Sequence, residues 1–154
     1  MTCLSCKVKY SFTGADFGNL ETVTVNYFPN KAINGPASLG QLFTDNLKDK
    51  FARETNLRAT GIAGDIEFSG YVSQYRIAGQ SPTAGQTNAI VRLTMTVQVV
   101  FKNIVEPEKS WEKAFTQSID YESQQDLSLI EETLINQLND IIADDIFTAA
   151  LVDW

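Results

Sequence analysis

The chain has 154 residues, 44% of them hydrophobic and 20% charged, and it contains no histidine. That length supports one domain with its own core. The missing histidine excludes Ser-His-Asp and Cys-His catalysis and leaves any zinc site only two cysteines and carboxylates. The net charge of −7 is lopsided: residues 1–105 carry ten basic and seven acidic side chains, residues 106–154 two basic and twelve acidic. The basic footprint of a generic nucleic-acid binder is absent, and no apolar run reaches the roughly 20 residues of a membrane-spanning helix.

Residues 1–20 read as a lead-in with aromatic pegs at Tyr10 and Phe12, and residues 21–154 as a single domain. Thr22-Val23-Thr24-Val25-Asn26-Tyr27 alternates polar and apolar side chains, the period of a half-buried strand. Phe28-Pro29-Asn30 ends it, since proline lacks a ladder donor. Asn34-Gly35-Pro36 signals a helix start, and the spacing predicts a helix over 37–54. Leu39, Leu42, Phe43, Leu47 and Phe51 form its apolar stripe, and Asp49 with Arg53 has the spacing of a surface ion pair.

Three further strands are predicted. The first runs from Ile66 through Gly70 towards Arg76, with Gly70 marking a bulge or a close backbone approach. The second has Val91, Leu93, Met95, Val97, Val99 and Phe101 on one face, against Arg92, Thr94, Thr96, Gln98 and Lys102. The third places Trp111, Phe115 and Ile119 opposite Thr116 and Ser118. A polar Gly/Pro-bearing loop over 79–88 joins the first two. Ser128 and Glu131 have capping-box spacing before a stripe of Ile130, Leu134, Leu138, Ile141, Ile142, Phe147 and Ala150. The expected fold is α+β: a two-layer sandwich, two helices packed on one face of a four- or five-stranded, mostly antiparallel sheet.

The chemistry of the chain points to binding. Adjacent acid pairs such as Asp144-Asp145 and Glu131-Glu132 diverge around a helix and form no dyad. Arg92, on the polar sheet face, and Arg76 are candidate contacts for an anion or phosphate, although a strand arginine also commonly faces water or a cross-strand acid. Cys3 and Cys6 have C-x-x-C spacing, but no helix follows them to activate a thiol. Leu4-Ser5-Cys6 resembles the end of a lipobox, which makes Cys6 a candidate for lipid attachment; two incidental thiols are the other reading. The chain is expected to be no enzyme and to need no cofactor and no metal.

Several segments in order form a series: Tyr10-Ser11-Phe12-Thr13-Gly14, then Val23 to Asn30, then Phe43-Thr44 with Leu47 to Phe51, then Gly64 to Gly70 and a closing amphipathic helix. The series resembles the lipopolysaccharide-assembly lipoprotein family LptE, in its Bacteroidetes-type branch. The resemblance implies a lipoprotein anchored through Cys6 to the outer membrane, on its periplasmic face. It would sit as a plug inside the β-barrel LptD and assist the barrel's assembly and the delivery of lipopolysaccharide to the cell surface. The partners implied are LptD and lipopolysaccharide, with the membrane reached through a lipid anchor and no nucleic acid involved. The alternative expectation is a free periplasmic domain that binds an anionic lipid or peptide; an enzyme built on Ser, Tyr, Lys and carboxylates is a third.

Overall fold

The computed structural model describes residues 18–82, 84–85 and 87–152, so Cys3, Cys6 and the run from Tyr10 to Gly14 lie outside the described residues. The elements run β1 (Thr22–Val25), α1 (Leu39–Glu54), β2 (Arg58–Ala59), β3 (Ile66–Gly79), β4 (Ile90–Asn103), a 3-10 turn (Pro107–Lys109), β5 (Trp111–Glu122) and α2 (Leu127–Val152). The five strands form one sheet in the order β2-β1-β3-β4-β5. β3, β4 and β5 are antiparallel neighbours over almost their whole length. β1 is parallel to both β2 and β3, so the sheet is mixed at the edge where short strands meet a helix.

The alternation in β3 and β4 fixes which face is buried. Ile66, Phe68, Val72 and Tyr75 from β3, with Leu93, Met95, Val97, Val99 and Phe101 from β4, are buried beneath the helices. Leu39, Phe43, Leu47 and Phe51 of α1 close the core from one side. Leu134, Ile135, Leu138, Ile142, Ile146 and Phe147 of α2 close it from the other. A row of rings crosses this layer: Phe51 to Phe68 at 4.7 Å, Phe68 to Phe101 at 5.0 Å and Phe101 to Trp111 at 5.3 Å. Such tilted pairs add about 0.5–1.5 kcal/mol each beyond the area they bury.

Gly70 shows the close approach expected of it. Its φ is +151°, and an added Cβ would run into the main-chain carbonyl of Gln98 and meet the ring of the buried Phe28. The register shift lies farther on, between Val72 and Gln74, which returns Tyr75 to the core face.

Several local expectations change. β1 ends at Val25 and not Tyr27, because Phe28 turns inward and its N–H donates to Thr44 Oγ1 at 3.0 Å. α1 begins at Leu39, after a turn in which the Leu39 N–H donates to the Pro36 carbonyl. Arg53 does not pair with the Asp49 carboxylate; its Nε donates to the Asp49 carbonyl, and Lys50 forms the i,i+4 bridge, to Glu54 at 2.7 Å. Asp126, not Ser128, caps α2: its carboxylate accepts from the Ser128 N–H at 3.0 Å and the Ser128 hydroxyl at 2.7 Å. Ile141, placed on the buried stripe, is 41% exposed, because Ile135, Ala143 and Ile146 take the core-facing positions.

Candidate functional site

The helices cover one face of the sheet and leave the other open, and the side chains on the open face are those that alternate with the core. β4 presents Arg92, Thr94, Thr96 and Gln98 there; their register partners are Ala78, Arg76, Gln74 and Tyr71 on β3 and Asp120, Ser118, Thr116 and Ala114 on β5. These side chains bond across the strands. The Thr94 and Ser118 hydroxyls lie 2.8 Å apart, and those of Thr96 and Thr116 2.9 Å apart. Thr96 also donates to Gln74 Oε1 at 3.4 Å. Cross-strand pairs of this kind contribute about 0.2–1 kcal/mol each, so the face is a rigid, hydrogen-bond-rich platform.

The two arginines singled out from sequence occupy this face in different states. Arg92 faces Asp120 and donates two parallel hydrogen bonds, from Nε at 2.7 Å and from an Nη at 2.9 Å. The pairing raises the guanidinium pKa and holds the Asp120 carboxyl below its ordinary value. Arg76 is exposed and makes no ion pair among the described residues. It borders an open depression of about 650 Å³ with Ser73, Gln74, Thr96, Gln98 and the loop residues Ile33 and Asn34. Beside it the Lys31 ammonium sits 4.4 Å over the Tyr71 ring.

The loop contribution was not visible in the sequence. Ile33 is 98% exposed, and its only local signal is the following Asn34-Gly35-Pro36 turn. The chain brings it to β3 through main-chain bonds: the Lys31 N–H donates to the Val72 carbonyl at 2.9 Å and the Val72 N–H to the Pro29 carbonyl at 3.0 Å.

The depression offers amides, hydroxyls and one free guanidinium. That set can hold polar or anionic groups by hydrogen bonds. Of the hydroxyls that line it, Ser73 donates to the Thr96 carbonyl at 3.3 Å, while that of the buried Tyr75 is engaged on the helix side by Glu131 at 2.6 Å.

Residues 20–150 match the family LptE, Lipopolysaccharide-assembly. The chain belongs to that family. LptE proteins are non-enzymatic lipoproteins of lipopolysaccharide assembly, which assigns this chain to the lipopolysaccharide transport machinery as a membrane-associated, non-catalytic component. No curated protein matches the chain.

Solved structures share the fold at low identity. Lipoprotein B from Nitrosomonas europaea aligns with a TM-score of 0.57 at 13% identity, covering 90% of this chain and 86% of its own. A minor lipoprotein from Acinetobacter baumannii gives 0.54 at 13%, covering 87% and 93%. The rare lipoprotein B from Shewanella oneidensis gives 0.50 at 13%, covering 84% and 92%. At this identity the likeness is one of fold.

Proposed function

We propose that this chain is the lipid-anchored partner of the outer-membrane β-barrel LptD. It docks within the barrel lumen on the periplasmic side of the outer membrane and assists barrel assembly and the delivery of lipopolysaccharide to the surface. Family membership over residues 20–150 carries this reading. The open sheet face supports it: a platform of bonded hydroxyls and amides suits a polar wall and leaves few groups to reorganise on docking. Lipid attachment is assigned to Cys6, with Arg76 and Arg92 as the candidate lipopolysaccharide contacts. Of the two, Arg76 is the cation available without breaking an existing pair.

The test is co-purification from envelopes with a tagged full-length chain. Recovery of a large β-barrel protein in stoichiometric amount supports the role, and recovery of the tagged chain alone refutes it. The depression beside Arg76 favours a second reading, a free carrier of an anionic lipid or peptide. That reading requires the isolated monomer to bind such a ligand saturably without any barrel.

A further inference from the structure

β1 covers only the first part of the β3 edge. It pairs with β3 at Ile66 to Phe68, and the chain leaves that edge after the bridge from Asn30 to Val72. At the bridge both main-chain groups of Val72 point away from β4: its N–H donates to the Pro29 carbonyl, and its carbonyl accepts from the Lys31 N–H. Farther on, the Gln80 N–H donates to the Ile90 carbonyl. In an antiparallel ladder such bonding alternates residue by residue. Gln74, Arg76 and Ala78 therefore bond inward to β4, and Tyr75, Ile77 and Gly79 turn their N–H and C=O groups outward. None of these outward main-chain groups has a hydrogen-bond partner among the described residues.

Hollows flank this edge on both faces. On the open face lies the depression of about 650 Å³, which Ser73 to Arg76 border along the strand. On the helix side a hollow of about 280 Å³ opens between the starts of α1 and α2, lined by Leu42 and Ile135 with Glu131 and Glu132. Glu131 takes the Tyr75 hydroxyl there, which sets that hollow beside the edge. Tyr75 is buried at the inner end of the stretch, while Arg76, Ile77 and Gly79 are exposed, and the stretch carries a single charge, on Arg76. The outer edge of β5 is the other long one, and it carries Glu112, Lys113, Asp120 and Glu122. Charges of that kind keep an edge from pairing.

We propose that an extended segment of the barrel partner adds to the sheet along Tyr75 to Gly79, bonding main chain to main chain and sending alternate side chains to the two faces. Donors and acceptors set out in strand order are matched by another strand and not by a lipid. The helix-side hollow sets the chemistry of the segment: an aliphatic side chain for Leu42 and Ile135, with a lysine or arginine for Glu132. A second copy of this chain fits poorly, since its net charge is −7 and its β5 edge would bring more carboxylates to Glu131 and Glu132. An added strand flanks Arg76 and leaves the Thr96 and Gln98 part of the depression open. The identity of the occupant rests on the reading that the chain docks with a barrel.

The experiment captures the tagged full-length chain from detergent-extracted envelopes and follows amide hydrogen exchange in the captured complex and in the chain alone. In the chain alone the Ile77 and Gly79 amides should exchange fast, beside slow Arg76 and Ala78 amides held by β4. In the complex with the barrel the Ile77 and Gly79 amides should slow by about tenfold or more. Ile77→Pro removes an outward N–H and spares the bonds to β4. It should lower barrel recovery several-fold with an unchanged circular dichroism spectrum, whereas Ile77→Ser, which keeps the N–H, should recover more barrel than the proline variant. A barrel complex in which the Ile77 and Gly79 amides stay fast overturns the inference and leaves the barrel reading standing. Recovery of the chain alone overturns both, and protection of these amides in a dimer of this chain overturns the assignment of the edge to the barrel.

Discussion

The hydroxyl of Tyr75 on β3 donates to the carboxylate of Glu131 near the start of α2, at 2.6 Å. Tyr75 is only 3% exposed, so the bond ties the long strand to the helix from inside the core. Burial, and then the Glu131 carboxylate, push the phenol pKa well above its ordinary value. Tyr75→Phe is expected to cost about 1–2 kcal/mol in urea denaturation, and Glu131→Gln less, since the amide still accepts a neutral bond. The raised pKa also makes a pH statement. Its contribution is complete below about pH 10, where a free tyrosine stays protonated, and is lost as pH rises from there towards the folded-state value. Tyr75→Phe should therefore flatten the alkaline decline in stability.

Among the described glycines, Gly70 is the least tolerant of a side chain. Its positive φ and the approach of the Gln98 carbonyl leave no room for a Cβ. Gly70→Ala is expected to destabilise the fold by roughly 2–4 kcal/mol, combining backbone strain with displacement of β4. Gly79→Ala, with open space around it, should change stability little. Paired thermal melts of the two variants check this.

Acid stability should depend on Asp65. Its carboxylate accepts from the Glu21 N–H at 2.8 Å and the Thr22 N–H at 3.1 Å, where the chain enters β1. Those main-chain bonds lower its pKa, as Arg92 does for Asp120 and Ser128 for Asp126. A carboxylate with a depressed folded pKa contributes stability that is present above about pH 4 and lost as pH falls through the folded value. The expected profile is flat down to about pH 4 and falls below it. Asp65→Asn should be less stable at neutral pH and lose stability less steeply in acid, as followed by urea midpoints between pH 2 and 7.

Much of this fold was legible because its long elements carry strong periods. The residues from Val91 to Val99 alternate so regularly that both faces of β4 follow from sequence, with Val100 the one apolar residue beyond them on the polar face. β2 was missed, since a two-residue strand has no period to detect and exists only because β1 offers its edge. The parallel pairing of β1 was missed for a related reason, as nothing in Thr22–Val25 encodes the direction of its neighbours. Glu131 fitted a capping box by spacing alone, while a tertiary partner, Tyr75, claims it in the fold. At the open face, the sequence placed Arg92 among hydroxyls correctly. Its engagement by Asp120, 28 positions away, emerges only from the β4–β5 register. Arg76 and Ile33 border one depression because of a loop-to-strand bridge at Asn30 and Val72, which no local pattern announces.

The different states of the two arginines separate their expected effects on lipopolysaccharide. Arg76→Glu should weaken capture of lipopolysaccharide by the isolated chain by roughly three- to tenfold, the scale of one exposed charge-assisted contact. Arg92→Ala should weaken it less, because Asp120 already engages that guanidinium. Added salt should narrow the gap, since both groups lie at the surface. Pull-down with immobilised lipopolysaccharide at two ionic strengths provides the comparison.

The central claim is that this LptE-family chain works as the partner of a barrel, and detergent-extracted envelopes test it most directly. A tagged full-length chain is captured and the eluate is weighed by native mass spectrometry. The account predicts a one-to-one complex with an outer-membrane β-barrel protein of the lipopolysaccharide pathway. A chain recovered only as monomer, from envelopes in which that barrel is present, would contradict it.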